Sequence, residues 1–426
     1  MMVNEIAFSM ETSSIKYGPG VTREVGYEMR RLGSRRVMVV TDPRMAQSEP
    51  VAITLKSLRQ EGIDAVLYDQ VQVEPTDVSF KQAIEFATDG GFDGFVAVGG
   101  GSCMDTAKAA NLYSTYPTDF FTYVNAPIGK GEMVPGPLKP LIAIPTTTGT
   151  GSETTGVAIF DLLEMKAKTG ISHRALRPVM GIVDPDNART LPSMVTACSG
   201  FDVLSHGLES FTAMPYQQRD APANPGLRPS YQGSNPISDV WALKAIDMVA
   251  QNMHRAVHDA DDTEARGQML LAATFAGVGF GNAGCHLPHG MSYTVAGMVK
   301  DFCPEGYPEG HPIVPHGMSV ILNAPAVFRF TAPTNPERHL HAARLMGAEV
   351  SGAGPEDAGD ILGDIIVKFI RDMGLPNGLA AVGYTDDDVP ALVKGTLPQH
   401  RVTKLSPRPA EAEDLTRLFR DSLTLW

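Results

Sequence analysis

The chain has 426 residues, 43% of them hydrophobic and 19% charged, the profile of a globular enzyme too long for one ordinary core, so two domains are expected. A formal net charge of −13 argues against a nucleic-acid partner, which needs a clustered basic surface, although local Arg or Lys can still hold a carboxylate. The four cysteines, Cys103, Cys198, Cys285 and Cys303, are scattered without a C-x-x-C pair, which speaks against a disulfide framework and for a reducing compartment.

Residues 1–20 carry acidic side chains, no apolar core segment and no Arg-rich amphipathic pattern. Neither a secretory signal nor a mitochondrial transit peptide is read there, and a cytoplasmic location is the expectation. Short β-branched runs then alternate with helical stretches. Strands are expected at 36–40, 64–68, 92–98 and 140–144, with helices at 51–61, 78–88 and 102–113. This alternation implies βαβ units and a mainly parallel sheet. Past Asp184-Pro185 helical periodicity takes over, at 192–213, 239–258, 264–280, 317–330, 356–373, 387–394 and 411–425. The expected division is an α/β dinucleotide-binding domain over 1–188 and an all-helical domain over 189–426. The loop 214–236 carries Pro215, Pro222, Pro225, Pro229 and Pro236. Its length suits either a lid or a surface excursion. The uncharged stretch 268–289 has the length of a membrane span, but Gly277, Gly279, Gly281, Gly284 and Pro288 interrupt it. A buried helix leading into a site is expected there, with no membrane partner.

Phe95-Val-Ala-Val-Gly-Gly-Gly-Ser102 runs a buried strand into a turn and then a helix. Gly99, Gly100 and Gly101 let a pyrophosphate approach the backbone, the helix N-terminus offers N–H groups, and Ser102 is expected to cap it. By itself the motif also fits a tight strand-to-helix turn. Ile144-Pro-Thr-Thr-Thr-Gly-Thr-Gly-Ser-Glu153 adds a second polar loop, with Thr146, Thr147, Thr150 and Ser152. Two such loops at neighbouring strand ends form a dinucleotide crevice. Asp42 is placed to accept from a ribose 2′-hydroxyl and would repel a 2′-phosphate, which favours NAD over NADP. As a residue before Pro43 it equally suits a turn.

Asp202 and His206 stand four apart, which stacks them on one helix face. His289 and His316 each open a His-Gly pair. Together they form a candidate mixed nitrogen and oxygen site for Fe²⁺ or Zn²⁺ rather than Mg²⁺ or Ca²⁺. His286 lies three residues before His289 and shares its face, with a substrate-facing or a hydrogen-bonded structural role open. His311, in a Gly/Pro-rich loop, reads as solvent-exposed.

With these residues in order, the chain resembles the iron-containing (group III) alcohol dehydrogenases. Gly99-Gly-Gly-Ser102 with Asp105 and Lys108, the 145–153 loop, the Asp202/His206 pair and the His289/His316 pair carry the resemblance. Val73-Glu-Pro-Thr-Asp77, Ser230-Tyr-Gln-Gly-Ser-Asn-Pro-Ile-Ser-Asp239, His289-Gly-Met-Ser-Tyr293 and Ala391-Leu-Val-Lys-Gly-Thr-Leu-Pro-Gln399 extend it over nearly the whole chain. They bring it closest to the branch that passes hydride between a hydroxyacid and an oxoacid. The resemblance implies a dehydroquinate synthase-like architecture, with a metal in the cleft between an α/β and an all-helical domain. It makes Asp202, His206, His289 and His316 the ligands, and Lys168 the lysine that contacts the adenosine ribose. Many members carry a further histidine four residues after the third ligand. Tyr293 stands there in this chain, so that histidine's proton relay passes to Tyr293 or another nearby group.

The expected chemistry is metal-assisted hydride transfer with NAD. Its substrates are small hydroxyacids and oxoacids, such as 4-hydroxybutyrate and 2-oxoglutarate, or alcohols and aldehydes. A NAD-dependent primary-alcohol or 4-hydroxybutyrate dehydrogenase is the runner-up, and a homo-oligomer is expected. A carboxylate substrate needs a cationic clamp. Arg219 and Arg228 in the long loop are the first candidates, with Lys300 and Arg401 behind them.

Overall fold

The computed structural model describes residues 4–165, 167–307, 310 and 312–426, so the expectation for His311 lies outside it. The chain divides into two compact units. One is Glu11–Thr190 with Arg266–Gly277, and the other Met1–Met10, Leu191–Ala265 and Val278–Trp426.

The α/β unit is built on six parallel strands: β1 (Ser14–Tyr17), β2 (Arg36–Val40), β3 (Asp64–Tyr68), β4 (Gly94–Gly99), β5 (Leu141–Pro145) and, after the antiparallel hairpin β6 (Val157–Leu162) and β7 (Ala167–Ser172), β8 (Met180–Val183). Their order is β1-β8-β5-β4-β2-β3, every neighbouring pair parallel. Helices α1 (Val25–Arg31) and α2 (Glu49–Gln60) pack on one face, α3 (Asp77–Gly90) and α4 (Gly101–Thr115) on the other. The strands show why. Val37, Val39, Val96 and Val98 join Val25, Met29, Val51 and Leu58 in one core. Met38, Val40, Phe95 and Ala97 join Ala83, Ala87, Ala107 and Ala110 in the other. Side chains alternate between faces, and both faces are covered, so the strands read as continuous apolar runs. The strands β1 and β8 and the hairpin were not expected. β1 and β8 are four residues each, too short for a period to show, and β1 keeps Ile15 and Tyr17 exposed.

The chain leaves β2 in one direction to β3 and returns to its other side with β4 and β5. The carboxyl ends of β2, β4 and β5 thus surround a topological switch point, the usual crevice of an open parallel sheet.

In the second unit the described residues form helices and turns with only isolated bridges, Asn4 to Asp220 and Pro215 to Ser234. Its helices are α5 (Ser193–Thr212), α6 (Pro236–His258), the ends of α7 (Thr263–Ala283), α8 (Leu287–Gly297), α9 (His316–Ile321), α10 (Ala324–Thr331), α11 (Pro336–Leu345), α12 (Ala358–Asp372), α13 (Val389–Thr396), α14 (His400–Thr403) and α15 (Ala412–Asp421). The helix expected over 317–330 is two. Pro325 lacks the N–H that a continuous helix needs and instead sits in the first turn of α10. The stretch 214–236 holds two short turns and is tied down by an Arg228–Glu5 ion pair and a Gln232–Ser9 hydrogen bond. No single described helix is long and apolar enough to cross a membrane. None of the four cysteines is in a disulfide.

Asp184, buried just past β8, accepts from Gly20 N and Asp186 N on one oxygen and from Thr22 N and Oγ1 on the other. Asp184→Ala strands buried donors and is expected to cost about 3 kcal/mol. A lowered thermal midpoint by circular dichroism checks this, and an unchanged midpoint contradicts it.

Candidate metal centre and dinucleotide cradle

Helix α5 is buried over almost its whole length, so a polar face on it points into the unit. Asp202, His206 and Glu209 share that face at spacings of four and three. His289 lies in the first turn of α8 and His316 opens α9. Gly317 explains the second His-Gly pair: a Cβ there would lie 1.9 Å from the Cys198 carbonyl oxygen of α5, so only glycine lets α9 come this close. The glycine of the first pair meets Thr403 in the same way, at 2.7 Å from its methyl.

The four predicted ligands converge on one atom. Asp202 Oδ1 lies 3.8 Å from His206 Nε2, 3.6 Å from His289 Nε2 and 3.7 Å from His316 Nε2. These separations exceed a hydrogen bond, and neither Asp202 Oδ1 nor His289 Nε2 has a hydrogen-bond partner. They are the spacings of ligand atoms that each stand about 2.1 Å from a shared ion. The residues therefore fit a divalent metal. Asp202, His289 and His316 form one close group of ligand atoms, and His206, Cys285 and His289 another. Burial pushes the Cys285 thiol up to about 11, which makes it harder to deprotonate than an exposed thiol.

Electrostatics suit a cation. Burial opposes ionisation of Asp202, but the His206, His316 and His289 imidazoles outweigh it and hold the carboxyl far below the usual range. Burial pushes His206 down to about 3, so its ring is the neutral, ligating form. For His289, burial lowers proton affinity while Cys285, Glu209 and Asp202 raise it, and the net direction is up. The Asp202 carboxylate beside Nε2 favours a positive charge there. His206 is further fixed by Phe280, stacked at 3.7 Å and 3°. His316 is 26% exposed where the other three side chains are at most 5%, so approach to the centre is from its side.

Glu209 went unrecognised in the sequence. Its Oε1 lies 2.6 Å from His289 Nδ1, and Oε2 accepts from the His286 and His289 backbone N–H groups at 2.7 and 3.4 Å. One carboxylate thus satisfies the N-terminus of α8 and orients a ligand imidazole. The available signal was its place three residues after His206 on the ligand face. His286 is directed elsewhere. Its Nε2 bonds to Thr212 Oγ1 at 3.0 Å, its ring packs edge-on against Phe328, and burial pushes it down to about 4. Of its two sequence readings, this geometry is that of the hydrogen-bonded structural histidine.

The expected carboxylate clamps are corrected in part. Arg228 is neutralised by Glu5 at 2.9 and 3.2 Å. Arg219 Nη1 donates to the Tyr231 carbonyl at 2.7 Å, and Lys300 pairs with Asp388 at 2.7 Å. Tyr293 accepts from Arg401 Nη2, and its ring lies 6.5 Å from that of His316.

In the α/β unit the two polar loops meet. A Cβ on Gly100 would lie 3.1 Å from Thr147, and one on Gly101 2.7 Å from Thr150. Gly99 has φ +154° and leaves no room for a side chain beside Cys103. Thr146 N bonds to the Gly99 carbonyl at 3.1 Å. This bare backbone cradle at the carboxyl ends of β4 and β5 fits a dinucleotide pyrophosphate. The helix cap differs from expectation: Gly100 is the N-cap, with no side-chain cap, and Ser102 lies inside the first turn, its Oγ accepting from Glu74 N at 3.2 Å. Asp42 Oδ1 closes a turn on Arg44 N and Met45 N, while Oδ2 lies 3.7 Å from Cys103 Sγ, 4.0 Å from a Gly99 Cβ. Asp105 and Ser152 bond to each other at 2.8 Å and to buried Lys108, locking the second loop onto α4. Lys168 is buried in an ion cluster with Glu74 and Asp161.

Residues 12–185 match the iron-containing alcohol dehydrogenase family, and residues 230–423 the C-terminal part of the Fe-containing alcohol dehydrogenase family. The chain is 58% identical over 424 residues to a Xenopus laevis protein named hydroxyacid-oxoacid transhydrogenase, mitochondrial, covering 99% of this chain and 92% of that one. It is 55% identical to the Homo sapiens protein of the same name, at 99% and 91% coverage. An alcohol dehydrogenase from Oenococcus oeni shares the fold with a TM-score of 0.85 at 26% identity, over 98% of this chain and 100% of that one. The cytoplasmic expectation is corrected by these relatives, which are named as mitochondrial.

Glu209→Gln keeps the volume but removes the charge behind His289. Metal retention, read as bound metal per chain against a competing chelator, is expected to fall between about tenfold and a hundredfold; equal retention removes Glu209 from this role. Gly100→Val covers the backbone and pushes against Thr147 of the second loop, and is expected to weaken NAD binding by about tenfold or more, with metal content unchanged. Calorimetric NAD titration measures this, and unaltered affinity counts against the cradle.

Proposed function

The chain belongs to the iron-containing alcohol dehydrogenase family, and from that premise we propose that it transfers hydride, by way of NAD, from a hydroxyacid such as 4-hydroxybutyrate to an oxoacid such as 2-oxoglutarate. The observation that carries this reading is the convergence of three imidazole Nε2 atoms on Asp202 Oδ1. The reaction follows the relatives' name, hydroxyacid-oxoacid transhydrogenase, at 58% identity over nearly the full chain.

We assign Asp202, His206, His289 and His316 to a divalent metal, Fe²⁺ or Zn²⁺, and the Gly99–Gly101 turn with Thr146, Thr147 and Thr150 to NAD. When bound, the metal polarises the substrate oxygen and NAD carries the hydride between the two acids. The chain's own residues do the rest. Glu209 holds the His289 ring with Nδ1 turned away, leaving Nε2 for the ion. Phe280 and the buried α5 face exclude water from His206. Tyr293, its hydroxyl fixed by Arg401 and its ring beside the exposed edge of His316, is the group assigned to move the substrate hydroxyl proton. Asp42 is assigned to the adenosine ribose, accepting through Oδ2 because Oδ1 closes the turn. Self-association into a dimer or larger belongs to the same reading.

The second reading, a NAD-dependent alcohol dehydrogenase, is favoured by the fold shared with the Oenococcus oeni enzyme. One assay separates the two. With 4-hydroxybutyrate deuterated at C4, 2-oxoglutarate and no added NAD, deuterium is expected at C2 of the 2-hydroxyglutarate formed. Turnover that strictly needs added NAD and ignores the oxoacid would leave the dehydrogenase reading standing. Chelation is expected to abolish activity, with recovery on adding back Fe²⁺ or Zn²⁺; full activity in metal-free protein would contradict the assigned centre.

A further inference from the structure

The reading above requires both substrates to carry a carboxylate, and three of the four candidate cations are already engaged by Glu5, the Tyr231 carbonyl and Asp388. Arg401, at the start of α14, is different. Its Nη2 donates to the Tyr293 hydroxyl, and its guanidinium carbon lies 5.1 Å from the Tyr231 ring centre and 6.0 Å from that of Tyr293. Its Nη1 is buried and has no hydrogen-bond partner, and among the described residues no carboxylate pairs with the group.

A guanidinium does not lose its proton, so burial cannot neutralise it. Two tyrosine faces give cation–π stabilisation, and a phenol accepts one hydrogen bond, but neither supplies a counter-charge. A buried cation in this state lacks its natural partner, an anion.

The aromatic walls around Arg401 also reach the metal centre. Tyr293 is four residues after His289 on α8, with its ring 6.5 Å from that of His316. Tyr231 lies 6.3 Å from Phe280, which stacks on His206. Tyr293 alone thus stands between the guanidinium and His316, and Tyr231 with Phe280 between it and His206.

Resting on the proposed function, we propose that Arg401 is the specificity-determining residue that binds the substrate carboxylate, held in place by Tyr231 and Tyr293. The same anchor serves both half-reactions. In 4-hydroxybutyrate the carbinol carbon, and in 2-oxoglutarate the carbonyl carbon, stands three carbon–carbon bonds from a carboxylate carbon. One cation at a fixed distance from the reacting carbon thus positions donor and acceptor alike. The substrate class follows: acids with that separation, of either oxidation state.

The test compares kcat/KM for 4-hydroxybutyrate with that for 1,4-butanediol, which keeps the chain length and hydroxyl but has no charge. In Arg401→Gln the acid-to-diol ratio is expected to fall by about a hundredfold, mostly through KM of the acid. Arg401→Lys keeps the charge without the fork and is expected to lose about tenfold, which keeps the test decisive if the glutamine variant fails to fold. Metal content and circular dichroism confirm that the variants are intact. A ratio unchanged in a folded variant overturns the assignment of Arg401 while the transhydrogenase reading survives. A wild-type enzyme that oxidises the diol but not the hydroxyacid overturns that reading, and the inference with it.

Discussion

A buried, ionised Asp202 facing three imidazoles is the constraint on which the helical unit depends. Its Oδ1 is too far from each ring for a hydrogen bond, and a carboxylate in such surroundings is costly unless it shares a cation. Much of the neighbouring structure acts to keep this arrangement. The Gly317 backbone lets α9 deliver His316, Phe280 stacks on His206, and Glu209 turns His289 while satisfying the first N–H groups of α8. Glu209 links two needs in one group, since removing it would leave both a helix end and a ligand ring unsupported.

The α/β unit solves a different problem with simpler means. A pyrophosphate needs bare backbone more than it needs side chains, and the three glycines both supply it and let Thr147 and Thr150 of the second loop close against the first. The polar residues beneath, Asp105, Ser152 and Lys108, bond mainly to each other. Their work is to hold the second loop against α4, so the cradle keeps its shape.

The sequence was most legible where periodicity was long or spacing was tight. Strands β2, β3, β4 and β5 were read from apolar runs, and the Asp202/His206 pair from the helical repeat. Short elements such as β1 and β8, and the break before Pro325, carried too few residues to show a pattern. Charged residues were the least legible, because a side chain's partner can lie far along the chain. Arg228 looked like a clamp until Glu5, 223 positions away, was found against it. Arg401 looked secondary, yet it is the one of the four candidates with a buried, unpaired N–H. Location was misread: scattered cysteines and an acidic balance do not tell one reducing compartment from another, and the relatives are named as mitochondrial.

The central claim is that one ion is shared by a carboxylate and three imidazoles. X-ray absorption spectroscopy of the anaerobically purified, metal-replete protein tests it most directly. The account predicts a first shell of nitrogen and oxygen alone at about 2.0–2.2 Å, with the outer-shell scattering of three imidazoles. A sulfur ligand near about 2.3 Å, which Cys285 beside His206 and His289 would provide, or a spectrum unaltered in Asp202→Ala, would contradict it.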